Sequence, residues 1–249
     1  MTKQPSFIAL DLETTGLDER QDEIIEVGLV RFELQAGKCV ILDRYQTLVK
    51  PAGDVSYEIE KITGITNEML RDAPVWEAIS SEVEQFIGDR TLIGHNINFD
   101  LGFFKSHGLD LRTHLAYDTY ELATMLVREA PAYNLGRLCD FLDAGFTEQH
   151  RALADAEGTV GLFSVLLDRI KNLPLDTMQD VADFLADRSW KYAELFAIPL
   201  SRNISKKKKF RAEPDDTDTS EDYASPAETD EVLFDQELAS IQKIRLDFL

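Results

Sequence analysis

Asp11 and Glu13 stand two positions apart in the apolar stretch "FIALDLETTG". Side chains alternate faces along a strand, so both carboxylates are expected to leave one face of a sheet, at the end of that strand. Two further acids occupy segments that otherwise read as core-forming: Asp100, closing "TLIGHNINFD", and Asp155, in "HRALADAEGT" five residues after His150. If the three stretches converge, four carboxylates share one pocket. At about 4 Å and an effective dielectric near 20, each like-charged pair costs on the order of 4 kcal/mol. Such a pocket requires shared protons or divalent cations. Oxygen donors without cysteine, and with one nearby histidine, favour a hard ion such as Mg²⁺ or Mn²⁺ over structural zinc. Two such ions about 3.5 to 4 Å apart can hold a phosphodiester, one activating water and the other stabilising the leaving 3′ oxygen. An imidazole can take the proton of that water, which makes His150 the candidate general base.

The elements that must position these groups read as an α/β layer. Residues 7–11, 26–34 and 40–49 are apolar and rich in β-branched side chains, with Gly37 and Lys38 where a hairpin turn belongs, so they predict three antiparallel strands. Short helices are expected at 56–62 and 67–71, and a longer one at 76–87, where apolar residues recur at helical spacing. A buried strand at 91–94 enters a helix near Asp100, and 117–119 reads as an edge strand. Helices follow at 121–128, 135–142 and 155–170, and one more amphipathic helix at 177–196 either packs on this domain or bridges away from it. Strands first, then helices interleaved with two more strands, predict a mixed central sheet flanked by helices.

The chain of 249 residues carries a net charge of −20, which argues against a simple basic-patch nucleic-acid binder. Half of that excess lies in residues 212–249, with twelve acids against two bases. Residues 201–231 are almost free of apolar side chains and read as a disordered charged linker, with the run Lys206 to Lys209 at its start. Apolar spacing returns at 232–249, as in an amphipathic docking helix for a polymerase, helicase or nuclease partner. The first fifteen residues lack the apolar core of a signal peptide, no run is long enough for a membrane span, and Cys39 and Cys139 lack metal-site spacing. A cytoplasmic protein without a membrane partner is expected.

"DLETTG", "GHNINFD" and "HRALADA", in this order, resemble the three motifs of the DnaQ-like DEDDh 3′→5′ exonucleases, and the resemblance runs from about residue 7 to 169. It implies a ribonuclease H-like three-layer fold over 1–173, with 174–200 as an added helical segment. Carried over by position, Asp11, Glu13, Asp100 and Asp155 bind two divalent cations and His150 is the base. The family also places the backbone at Thr14 and Thr15 against the terminal nucleotide and residues 63–66 near the 3′ end, with Ile65 packed on a base. Many relatives read "HGI" where this chain has Thr63, Gly64 and Ile65, so one histidine contact is missing. The implied activity is removal of nucleoside monophosphates from DNA 3′ ends, preferentially single-stranded. The implied roles are proofreading, repair, or the nuclease module of a DinG-like helicase, although no GxxxxGK[ST] motor motif occurs in the chain. An RNA 3′ exonuclease of the same family, and an inactive nucleic-acid-binding or scaffold protein, are the competing readings.

Overall fold

A computed structural model of the chain describes residues 6–145, 150–185 and 190–196. The chain divides into two units, Met1–Lys206 and Lys207–Leu249, and every described residue belongs to the first. The expected linker at 201–231, its lysine run and the docking helix at 232–249 lie outside the described residues.

The elements follow in the order β1 (Ser6–Thr14), β2 (Ile24–Gln35), β3 (Lys38–Leu48), α1 (Tyr57–Thr63), α2 (Asn67–Leu70), α3 (Trp76–Ile87), β4 (Thr91–Gly94), α4 (Asn98–Ser106), β5 (Ala116–Asp118), α5 (Thr119–Leu126), α6 (Leu135–Leu142), α7 (Ala152–Lys171) and α8 (Leu175–Leu185). The sheet order is β3-β2-β1-β4-β5. β1, β2 and β3 pair antiparallel, while β4 and β5 join β1 in parallel, giving the mixed sheet that the sequence predicts.

Strand parity sorts the core into two layers. On β1, Phe7 and Ala9 pack with Val30 and Phe32 of β2 against Phe163, Leu166 and Ile170 of α7. Ile8, Leu10 and Leu12 point the other way, toward Trp76, Val83 and Ile87 of α3 and Phe103 and Phe104 of α4. Burial of each such side chain contributes on the order of 2 kcal/mol, so the sheet register is strongly specified. Asp11 and Glu13 continue the parity of Phe7 and Ala9 and therefore face the α7 side.

Three local readings change. β1 runs on to Thr14, so the two acids lie within the strand; their polarity reads as a strand end, but pairing with β2 persists through Glu13–Glu26. The hairpin turns at Ala36 and Gly37, both with positive φ, as the twist of a two-residue hairpin requires, and Lys38 already belongs to β3. The single helix at 177–196 is not formed: α8 ends at Leu185, Trp190 is irregular and Lys191 and Tyr192 form a turn. That turn and the short helical stretch 193–196 after it pack on the domain, because Tyr192, Leu195 and Phe196 enter the α7-side core. The Tyr192 hydroxyl accepts the Asp118 N–H (3.1 Å) and donates to Glu121 Oε2 (2.6 Å), which closes the β5 edge. Among the described residues no helix is long and apolar enough to cross a membrane, and both cysteines are free thiols.

Candidate active site

β1 delivers Asp11 and Glu13 to one face, and β2 supplies their partners across the ladder, Gly28 opposite Asp11 and Glu26 opposite Glu13. Gly28 matters because the start of α7 crosses directly above it: a Cβ there would overlap the backbone of Ala152 and Leu153. This close approach brings Asp155, in the first turn of α7, onto the two β1 acids. One oxygen from each of Asp11, Glu13 and Asp155 lies within 4.8 Å of the others.

Asp100 arrives differently. β4 ends at Gly94, so β1 has no strand neighbour on that side beyond Ala9, and the Leu12 N–H donates instead to Asp100 Oδ1 (3.0 Å). Asp100 is buried in the first turn of α4, where the helix terminus favours an acid. It lies outside the three-carboxylate group but close enough to repel Asp11. The turn that carries it is fixed by Asp118, whose carboxylate accepts the N–H groups of Asn96 (2.9 Å) and Ile97 (3.2 Å). His95 bonds Thr119 Oγ1 (2.9 Å) and the Tyr133 carbonyl (2.7 Å), so it and Asn96 brace this turn.

Burial, more than repulsion, sets the electrostatics. It raises Asp11 well above the carboxylate range, with Asp100, Asp155 and Glu13 adding to the shift. Asp100 is also raised well above that range by burial, against the Leu12 hydrogen bond that lowers it. Glu13 is pushed up to about 8 by burial and then by Asp155 and Glu26. Asp155 is raised by burial to about 6, although backbone N–H groups of Arg151 and His150 and the His150 charge favour its ionised form. Without cations Asp11, Asp100 and Glu13 retain protons near neutrality, whereas Asp155 is mostly ionised there. A compact set of hard oxygen donors that resists ionisation fits a divalent cation, which replaces the protons and relieves the repulsion.

The remaining predicted residues are placed as follows. His150 is exposed, with a left-handed backbone (φ 63), immediately before α7. Thr14 Oγ1 donates to the Gly16 carbonyl (2.6 Å), and Thr15 Oγ1 accepts the Glu23 N–H (2.9 Å), so both hydroxyls are engaged within the turn that follows β1. Packing of Ile65 on a base is corrected. Gly64 ends α1 in a left-handed turn and sends Ile65 inward, fully buried with Ile25, Val55 and Leu70, whereas Ile62 is exposed. Glu26 is the residue that sequence reasoning missed, because a lone acid in a strand reads as solvated. Its alignment with Glu13 across a hairpin was the available signal.

This sheet order, with carboxylates on the face of β1 that meets α7, is that of the ribonuclease H-like superfamily. The family described as Exonuclease matches residues 8–163, and the chain belongs to it as a DnaQ-like 3′→5′ exonuclease. Similar curated proteins include the PolC-type DNA polymerase III of Caldanaerobacter subterraneus subsp. tengcongensis, 32% identical over 73% of this chain and 13% of the polymerase. That of Bacillus cereus is 37% identical over 63% of this chain and 11% of the polymerase. The chain thus spans a small part of these relatives. Among solved structures, exonuclease X in complex with 5′ overhanging duplex DNA is 26% identical with a TM-score of 0.50, covering 66% of this chain and 90% of that one. Exonuclease I shares the fold, with a TM-score of 0.59 at 18% identity over 72% of this chain and 44% of its own.

Proposed function

We propose that the protein removes nucleoside monophosphates from 3′ ends of DNA, preferentially single-stranded, using two divalent cations, Mg²⁺ or Mn²⁺, and His150 as the general base. The observation that carries this reading is the group of Asp11, Glu13 and Asp155 oxygens within 4.8 Å, next to an exposed histidine. Bound cations supply Lewis-acid activation of water and charge stabilisation at the leaving 3′ oxygen. Asp11, Glu13 and Asp155 hold the cations, and Asp100 completes the set through the oxygen that Leu12 leaves free. His150 accepts the proton of the attacking water at a ring nitrogen, and its exposure lets that proton pass on to solvent. The backbone of Thr14 and Thr15 lies against the terminal nucleotide. The preference for DNA is supported by the PolC-type relatives and by the DNA held by exonuclease X, and it associates the activity with editing during DNA synthesis. A C-terminal tail that docks on a polymerase, helicase or nuclease partner is part of this reading.

The test uses 5′-labelled single-stranded DNA, duplex DNA and RNA of one sequence, each with Mg²⁺, Mn²⁺ or EDTA. A ladder that shortens from the 3′ end, fastest on single-stranded DNA and abolished by EDTA, is expected. Activity that survives EDTA overturns the metal mechanism, and faster RNA cleavage overturns the substrate assignment. His150→Ala should lower kcat by about 10² to 10⁴ while cation binding persists.

A further inference from the structure

We propose that Glu26 and Gly28 form a seat for the first turn of α7, and that Glu26 is a positioning residue acting through Arg151 and Ala152 on His150 and Asp155. α7 begins without its own cap: Arg151 occupies the N-cap position and makes no side-chain capping bond. Helix N-termini need acceptors for their free N–H groups. Here the acceptor comes from another element, since Glu26 Oε2 accepts the Ala152 N–H (3.0 Å). The same carboxylate receives both arms of the Arg151 guanidinium, at 3.1 Å from Nε and 2.7 Å from Nη2, and the Gln46 amide at 2.8 Å.

Glu26 is fully buried, so an ionised carboxylate there depends on these four donors. Gly28, two positions on and on the same face, clears the space that the Ala152 backbone fills. Acceptor and gap together fix both the height and the rotation of α7 where it starts. The residue before Arg151 is His150, and four residues after Arg151 stands Asp155, whose Oδ2 accepts the Arg151 N–H (3.1 Å). Arg151 therefore serves the scaffold, with its charge turned toward Glu26 rather than toward a substrate phosphate.

The inference rests on the proposed exonuclease activity for its kinetic arm, while its second arm, calorimetric binding of Mn²⁺ without substrate, is independent of turnover. Glu26→Gln keeps the shape and one acceptor but removes the charge. It should lower kcat on single-stranded DNA about 10- to 100-fold, leave KM within about twofold, and weaken Mn²⁺ binding by about the same factor as kcat. Arg151→Met, which keeps the Glu26 bonds to Ala152 and Gln46, is the second variant should Glu26→Gln fail to fold. The double variant should lose less than the product of the singles, because removing both partners leaves no buried unpaired charge. Wild-type kcat and Mn²⁺ affinity in both single variants overturn the seat. An Arg151→Met variant that raises KM alone also overturns it, because that result marks Arg151 as a phosphate contact. If wild-type protein shows no EDTA-sensitive cleavage, the exonuclease reading fails while the Mn²⁺ arm still decides the seat.

Discussion

In the absence of divalent cations, raising the pH from about 5.5 to 8.5 should destabilise the protein by about 3 kcal/mol through Glu13 alone. Burial, then Asp155 and Glu26, lift Glu13 from 4.5 to about 8. Burial lifts Asp155 from 3.8 to about 6. A carboxyl that holds its proton more tightly when folded favours the folded state below its unfolded pKa, and loses that advantage as the pH rises through the folded value. For Glu13 the window therefore runs from 4.5 to about 8, and most of it falls inside the pH interval. At about 1.4 kcal/mol per unit, Glu13 accounts for roughly 3 kcal/mol and Asp155 for a little under 1. The two are not additive, since the Glu13 shift contains the repulsion from Asp155. His95 opposes the trend: burial lowers its pKa, so its contribution improves as the pH rises. Urea unfolding of wild type and Glu13→Gln in EDTA isolates Glu13, because His95, Asp11 and Asp100 are common to both. Wild type should lose about 3 kcal/mol more than the variant across the interval. Divalent cation at a hundred times its dissociation constant should return about 2.7 kcal/mol at the alkaline end. A wild-type profile parallel to that of Glu13→Gln would refute the reasoning, since burial would then not hold a proton on Glu13 in the folded state.

Two further outcomes follow from the packing. Gly28→Ala places a methyl group in the backbone of Ala152 and Leu153, which cannot yield as a flexible side chain would. Chemical denaturation should show a loss of about 1 to 3 kcal/mol, with cleavage falling more than stability explains because Asp155 moves with α7. Tyr192→Phe removes the hydroxyl that accepts the buried Asp118 N–H. That variant should unfold about 1 to 3 kcal/mol more easily and cleave at the wild-type rate when folded.

Much of this arrangement was legible in the residues. The ends of α3, β4 and α6 coincide with those read from their segments; Gly88 follows α3, and the Asn134 side chain caps α6. The shared face of Asp11 and Glu13 follows from strand parity alone, and Asp155 joins them through oxygen atoms within 4.8 Å. What was hidden depends on partners distant in sequence. Beyond its alignment with Glu13, the role of Glu26 rests on donors at the start of α7, more than a hundred residues away. Ile65 faces inward because of the left-handed turn at Gly64, which periodicity does not reveal. The break before Tyr192 occurs where tertiary packing of aromatic side chains outweighs helical spacing.

The bond from Leu12 to Asp100 has a stereochemical consequence. With Oδ1 already accepting a backbone donor, Oδ2 is the oxygen that Asp100 would turn toward a cation. Asparagine, the usual isosteric replacement, must keep its carbonyl on Leu12 and so turns an amide nitrogen with two hydrogens toward the ion. At this position the substitution closest in shape is opposite in polarity where it matters.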